Sequence, residues 1–263
     1  MAGDVTYSSY LHLDQILSAQ HPVSGAHDEM LFIIVHQASE LWLKLCIHEL
    51  GEARDCLAAD ELRPAFKMLA RVARAQGQLI QSWDVLSTMT PHDYSTVRPH
   101  LGGSSGFQSA QYRMLEFMLG GRNPDHVTRH EATPQVAGNL RKELDRRSIY
   151  AEAIALLARR GFAVPAEVLE RDHTLIWTPS PEVEAAWAAI YRDPEDHWDL
   201  YELAEKLVDL EYHFQRWRFG HLKTVERIIG FKKGTGGTPG VPYLAGVLRQ
   251  AFFPELLSVR TAL

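Results

Sequence analysis

Cysteine is scarce: Cys46 and Cys56 are the two thiols in a chain of 263 residues. They fall ten residues apart on one expected helix, roughly 15 Å at 1.5 Å per residue, which is beyond disulfide reach. A disulfide-stapled secreted fold is thereby excluded, and a reduced, cytoplasmic setting is expected. Positive charge is not in excess either. Lys and Arg number 27 against 33 Asp and Glu, for a formal net charge of -6. That leaves no basic surface on the scale nucleic acid requires. No apolar run reaches membrane-spanning length, and the start, MAGDVTYSSY, has no signal-peptide core. Alternating strand patterns, internal repeats and composition-shifted linkers are missing too. The expectation is one all-α domain over 1–263, with residues 1–20 as an N-terminal arm.

What is present supports helices. Hydrophobic residues make up 46% and charged residues 23%, an ordinary balance for a chain with a sizeable core. Thr90-Pro91, Asn123-Pro124, Thr133-Pro134 and Ser180-Pro181 each pair a capping residue with a proline at the first helical position. Acids at Asp28 and Glu29 open a helix whose stretch Met30 to Val35 is apolar all round, the mark of a buried segment. Further helices are predicted from Asp60 to about Met89, Phe107 to Leu119, Ile149 to Arg160 and Pro181 to Arg192. A last one is predicted from Val241 to Phe253, ending at Pro254.

The longest apolar seam runs through Leu203, Leu207, Leu210, Phe214, Trp217, His221, Thr224 and Ile228, alternating by four and three. One slot holds His221 where leucine is the natural occupant, and Gly230 closes the helix. A segment with four glycines, FKKGTGGTPG, follows. It trails a helix C-terminus, so it is not a phosphate cradle; a glycine-rich lid over a pocket competes with a plain surface loop. His36 shares a face with Phe32 on a second helix. A single inward histidine is most often a hydrogen-bonded core residue, whereas two on different helices suggest a site.

Tyr94 and Arg98 lie four apart on a short helical turn halted before Pro99, a donor set suited to a carboxylate. Solvated surface residues fit the same pattern. Glu170 and His173 have a di-iron spacing without the second copy it needs, and His48-Glu49 lacks the second histidine of a zinc-protease helix. A buried histidine with no cysteine or carboxylate partners is a poor zinc set. It is a normal axial ligand for haem, opposite which Phe32 and His36 could face a bound gas. A gas sensor would keep His221 but need no Arg98 clamp, and a helical scaffold would need neither.

Three stretches then carry a resemblance: FIIVHQASELWLKL (Phe32 to Leu45), PHDYSTVRPHLGGSSGFQSAQYR (Pro91 to Arg113) and RFGHLKTVERIIGFKKGTGG (Arg218 to Gly237). In this order they resemble the tryptophan 2,3-dioxygenase family, and the likeness runs from Tyr7 to the FFPELLSVR segment. The resemblance implies an all-helical, cytoplasmic homotetramer that encloses haem b. Its implied activity is insertion of O2 across the indole C2–C3 bond of L-tryptophan to give N-formyl-L-kynurenine, the first step of tryptophan catabolism by the kynurenine pathway. By the same resemblance His221 stands at the axial haem ligand and His36 at the histidine that receives the indole N–H. Phe32 lies beside it, and Tyr94 and Arg98 contact the substrate carboxylate. Thr235 belongs to the loop that orders over substrate, and Ser105 and Gly106 stand near the cofactor. Tyr7, Tyr10 and Leu11 match an arm that reaches a neighbouring subunit's pocket. No nucleic acid and no membrane are implied as partners.

Overall fold

The computed structural model describes residues 5–237 and 239–263. Every regular element among them is helical. In chain order these are α1 (Tyr7–Leu11), α2 (Leu13–Ile16), α3 (Glu29–Ala58), α4 (Leu62–Leu86), α5 (Pro91–Val97), α6 (Ala110–Leu119) and α7 (Asp125–Thr128). They continue with α8 (Pro134–Asp145), α9 (Ile149–Arg159), α10 (Ala166–Leu169), α11 (Pro181–Arg192), α12 (Trp198–Ile229), α13 (Val241–Val247) and α14 (Pro254–Ser258). Short 3-10 turns cover Arg98–His100, Gly106–Gln108 and Val259–Thr261. The all-α expectation is met.

The frame is three long helices, with α4 packed against both α3 and α12. Leu43, Cys46, Leu50 and Leu57 of α3 meet Leu69, Val72 and Leu79 of α4. Leu203, Leu207, Leu210 and Phe214 of α12 complete the same buried cluster. Each such side chain contributes about 1.5–3 kcal/mol through its removal from water. The seam read along α12 is therefore the face it buries. A smaller cluster of Phe117, Val127, Ala137, Leu140 and Leu144 lies between α6 and α8.

Capping chemistry sets several starts. Thr90 accepts from the Asp93 amide, and the Asp93 carboxylate accepts from the Thr90 amide at 2.8 Å, with Pro91 at the first position of α5. Ser180 caps α11 through the Val183 amide. Pro134 opens α8 without a side-chain cap. Asn123-Pro124 departs from this pattern. Pro124 itself is the cap residue of the one-turn helix α7, and the Asn123 Oδ1 accepts from the Asp125 amide at 3.0 Å.

Four further expectations are corrected. Asp60 does not start α4; it adopts a left-handed φ of 62°, so the helix begins at Leu62. Phe107 sits in a 3-10 turn, and α6 begins at Ala110 because Ser109 caps it through the Tyr112 amide. The C-terminal helix stops at Val247. The Phe252 and Phe253 amides turn aside to donate to the buried Glu211 carboxylate at 2.8 and 2.9 Å, and Pro254 then starts α14 rather than ending a helix.

The fourth correction concerns α3. Met30 and Ile34 are 39% and 49% exposed, so Met30 to Val35 is buried only at Val35. With Leu41 and Leu45 they leave an apolar stripe on the outer face. One 18-residue window of α3 has a mean hydropathy of 1.4 with 17% of it buried, long and apolar enough to cross a membrane by length and composition. Scattered polar residues such as His36, Gln37 and Glu40 hid this from a search for unbroken apolar runs. The opposite face of the same helix is core.

Candidate active site

Helix α3 places Phe32 and His36 one turn apart, with ring centroids 4.2 Å apart and planes inclined 37°. Tyr94 of α5 joins them, its ring 6.2 Å from Phe32. His36 Nδ1 lies 2.7 Å from the Phe32 carbonyl oxygen. A carbonyl only accepts, so Nδ1 carries the proton and Nε2 is left with its lone pair. Burial holds the His36 pKa below its ordinary value, against the opposing pull of the Phe32 carbonyl and Glu40. The ring is thus a neutral acceptor at neutral pH.

Arg98 follows α5 at the start of a 3-10 turn, with Tyr94 one turn before it. Burial raises the Tyr94 pKa and the Arg98 charge opposes the rise, which places the phenol in the field of the guanidinium. The glycine-rich loop is seated against the same region. Arg98 Nη2 donates to the Lys233 carbonyl at 2.8 Å, and Thr235 Oγ1 donates to the Ser104 carbonyl at 2.7 Å. Gly236 packs so closely on Ser105 that a Cβ there would lie 2.9 Å from both the Ser105 Cβ and Oγ. Ser105 Oγ in turn accepts from the Phe107 amide at 3.3 Å, and Gly106 opens the 3-10 turn beyond it.

His221 enters from the seam of α12. Its imidazole stacks on Trp83 of α4, centroids 4.8 Å apart and planes 6° from parallel, and Trp217 lies 5.9 Å away. No protein hydrogen bond reaches the ring among the described residues. Burial pushes its pKa down to about 4, with the nearby His36 as the second cause. Two neutral imidazoles from different helices therefore share one interior.

This donor set suits haem. Haem needs one neutral axial nitrogen and an apolar slot. His221 has that nitrogen and no competing partner. Trp83 Nε1 beside it is a buried donor without an acceptor, available to a polar edge of a bound group. Among the described residues no three His, Cys, Asp or Glu side chains converge as a metal cage.

The structure thus brings Phe32, His36, Tyr94 and Arg98 together, joins Thr235 to the Ser104–Ser105 segment, and sets His221 in the same interior. It does not bring in the arm. Tyr7 and Tyr10 are 77% and 73% exposed, Leu11 is half-buried, and α1 packs against α2 with no buried residue. Sequence reasoning missed Trp83 as a neighbour of His221, the Lys233 carbonyl as a partner of Arg98, and Gly220. The signal for the last was a glycine inside a long helix directly before His221.

A helical frame that holds a neutral imidazole without a protein hydrogen bond among the described residues, with a second one nearby on another helix, fits the class of all-α haem proteins. Comparison narrows the class. The chain belongs to the tryptophan 2,3-dioxygenase family, whose model matches residues 1–144 and 131–263. It is similar to the tryptophan 2,3-dioxygenase of Erythrobacter litoralis (strain HTCC2594), 80% identical over 263 residues and 100% of both chains. Tryptophan 2,3-dioxygenase 1 of Ralstonia nicotianae is 56% identical over 259 residues, 98% of this chain and 88% of that one. The tryptophan 2,3-dioxygenase of Cupriavidus necator is 56% identical over 262 residues, 100% of this chain and 89% of that one.

Proposed function

We propose that this chain is a haem-dependent dioxygenase that adds O2 across the indole C2–C3 bond of L-tryptophan and releases N-formyl-L-kynurenine. Full-length identity of 80% to a tryptophan 2,3-dioxygenase supports the reaction. The observation that carries it to particular residues is the pair of neutral imidazoles, His36 and His221, in one interior. When bound, haem b would supply the site at which O2 is activated. His221 would hold the haem iron, since its uncharged nitrogen is free to donate a lone pair. His36 Nε2 accepts the indole N–H and so holds the reacting bond in place; it positions more than it removes a proton. Phe32 packs beside the indole. Arg98, with Tyr94, binds the carboxylate, a charge-assisted contact that also fixes the stereocentre. Thr235 and the glycine loop close over the amino-acid end, and the loop's seat on Ser104–Ser105 excludes water from the reacting centre. Ser105 and Gly106 would border the bound cofactor.

The functional unit we infer is a homotetramer in which the arm, residues 1–20, serves a neighbouring subunit. The exposed rings of Tyr7 and Tyr10 and the apolar stripe Met30, Ile34, Leu41 and Leu45 support association. A groove of about 540 Å³ beside Met30 and Leu31, bordered by Pro22, Gly25, Ala26, His27 and Asp28, is a seat open to a partner's arm one residue from Phe32. Both thiols are free and buried, which supports a reducing, cytoplasmic location.

The test is a titration of the ferrous protein with L-tryptophan. A Soret band, a difference spectrum on adding substrate, and O2 uptake matched by N-formyl-L-kynurenine are expected. A Soret band that responds to gases but not to L-tryptophan would make the protein a sensor, and no Soret band after loading with haem would remove both readings.

A further inference from the structure

Helix α12 carries a glycine, Gly220, in its middle, directly before His221. A glycine there costs the helix about 0.5–1 kcal/mol relative to alanine. Backbone conformation does not explain it, since Gly220 is absent from the positive-φ glycines. Space does. A Cβ at this position would lie 2.7 Å from Cδ1, 3.3 Å from Cγ and 3.5 Å from Nε1 of Trp83. These atoms belong to a rigid indole, not to the end of a flexible chain, so the ring would have to move.

The indole that Gly220 admits is the one stacked on His221. A histidine ring is usually fixed by a hydrogen bond through its second nitrogen. His221 has none from the protein among the described residues. Its orientation is set by packing: Trp83 lies nearly parallel at 4.8 Å, and Trp217 borders both rings, 5.5 Å from Trp83 and 5.9 Å from His221. α4 and α12 are packed along each other, so the Trp83 backbone is not free to retreat.

We propose that Trp83 and Gly220 are positioning residues for His221: the indole clamps the plane of the imidazole, and the glycine makes the room that lets the indole do so. The inference rests on His221 as the axial ligand. A clamped imidazole presents its nitrogen in one fixed direction, so a haem held there would meet a single orientation of its ligand ring. Here packing takes over the orienting task that a hydrogen bond performs elsewhere.

Resonance Raman spectroscopy of the ferrous holoenzyme, with its reduction potential, tests the clamp, and circular dichroism checks helix content in every variant. Gly220→Ala and Trp83→Leu should broaden and shift the iron–histidine stretching band and move the potential. Their kcat should fall by about 10–100-fold with KM for L-tryptophan unchanged, the range for lost partners of a metal ligand. Trp83→Phe, which keeps a stacking ring, should retain the parental band. If Trp83→Leu does not fold, the single added methyl of Gly220→Ala decides. An unchanged band and potential in Gly220→Ala, at parental helix content, overturns the clamp. A parental enzyme that loads haem but shows no iron–histidine band overturns the assignment of His221 instead, and the clamp with it.

Discussion

Arg98 and Lys233 are 135 positions apart in sequence, yet Arg98 Nη2 donates to the Lys233 carbonyl at 2.8 Å. The residue proposed to bind the substrate carboxylate also holds the loop proposed to cover it. Removing the guanidinium should therefore act on both. Arg98→Ala is expected to raise KM for L-tryptophan by roughly 30- to 1,000-fold, since losing a charge-assisted contact costs on the order of 2–4 kcal/mol. Tryptamine, which has no carboxylate, should bind the variant about as well as L-tryptophan does. Trypsin should also cut faster after the exposed Lys232 and Lys233. A variant that keeps the parental preference for L-tryptophan places the carboxylate elsewhere, and an unchanged cleavage rate means that Thr235 and Gly236 seat the loop without Arg98.

His36→Ala should lower turnover by about one to two orders of magnitude without abolishing it, the scale of a lost positioning hydrogen bond in a dry site. The tautomer set by Phe32 makes Nε2 an acceptor, so N1-methyl-tryptophan, which has no indole N–H to offer and an added methyl in its place, should be rejected by the parent and better tolerated by the variant. Complete loss of turnover with normal O2 and substrate binding would instead make His36 an obligatory base.

How much of this was legible beforehand depended on the range of the interaction. The seam of α12 could be read because helix periodicity is local, and its seven non-histidine positions line the core or its margin. Ser180 and Thr90 were readable as caps because a cap acts within three residues. The C-terminal helix was misread because Glu211, far away in sequence, draws the Phe252 and Phe253 amides out of the helix. Met30 to Val35 was misread because apolarity does not say which face of a helix finds a partner. In the site, the spacing of Phe32 and His36 and of Tyr94 and Arg98 placed each pair on one turn. The stack of Trp83 on His221 joins two helices, and only the packing of α4 against α12 reveals it.

Acid should weaken the protein when cofactor is absent. The ordinary histidine pKa is 6.5, and burial takes that of His221 to about 4. Between those values the unfolded chain takes up a proton that folded His221 refuses, so stability falls as pH drops through this window. From pH 7.5 to 5.5 the loss from this one group is about 1.3 kcal/mol. His36, His126, His130 and His173 shift in the same direction, burial being the first cause for each, and add to it. Urea unfolding of cofactor-free protein at the two pH values measures the loss. His221→Leu should reduce the dependence by the share of that one group and leave the rest; an equal slope in parent and variant would mean that His221 is hydrated and protonates in the folded state.

The arm can be tested by exchange between subunits. Tyr7 and Tyr10 are exposed, α1 buries nothing, and a capping box between Thr6 and Ser9 still preorganises its single turn. Aromatic rings on a preformed turn with no local seat are poised for a partner's surface. Deleting residues 1–11 should lower activity and substrate affinity while each subunit keeps haem through His221. Mixing that truncated chain with a full-length His221→Ala chain makes the sharper measurement. In mixed oligomers a haem-bearing truncated subunit can receive an intact arm from its His221→Ala neighbour, whereas neither parent oligomer has both parts. Partial recovery of O2 uptake, scaling with the fraction of mixed species seen by native mass spectrometry, is the expected result. Mixed species without recovery would mean that each arm serves its own subunit or none.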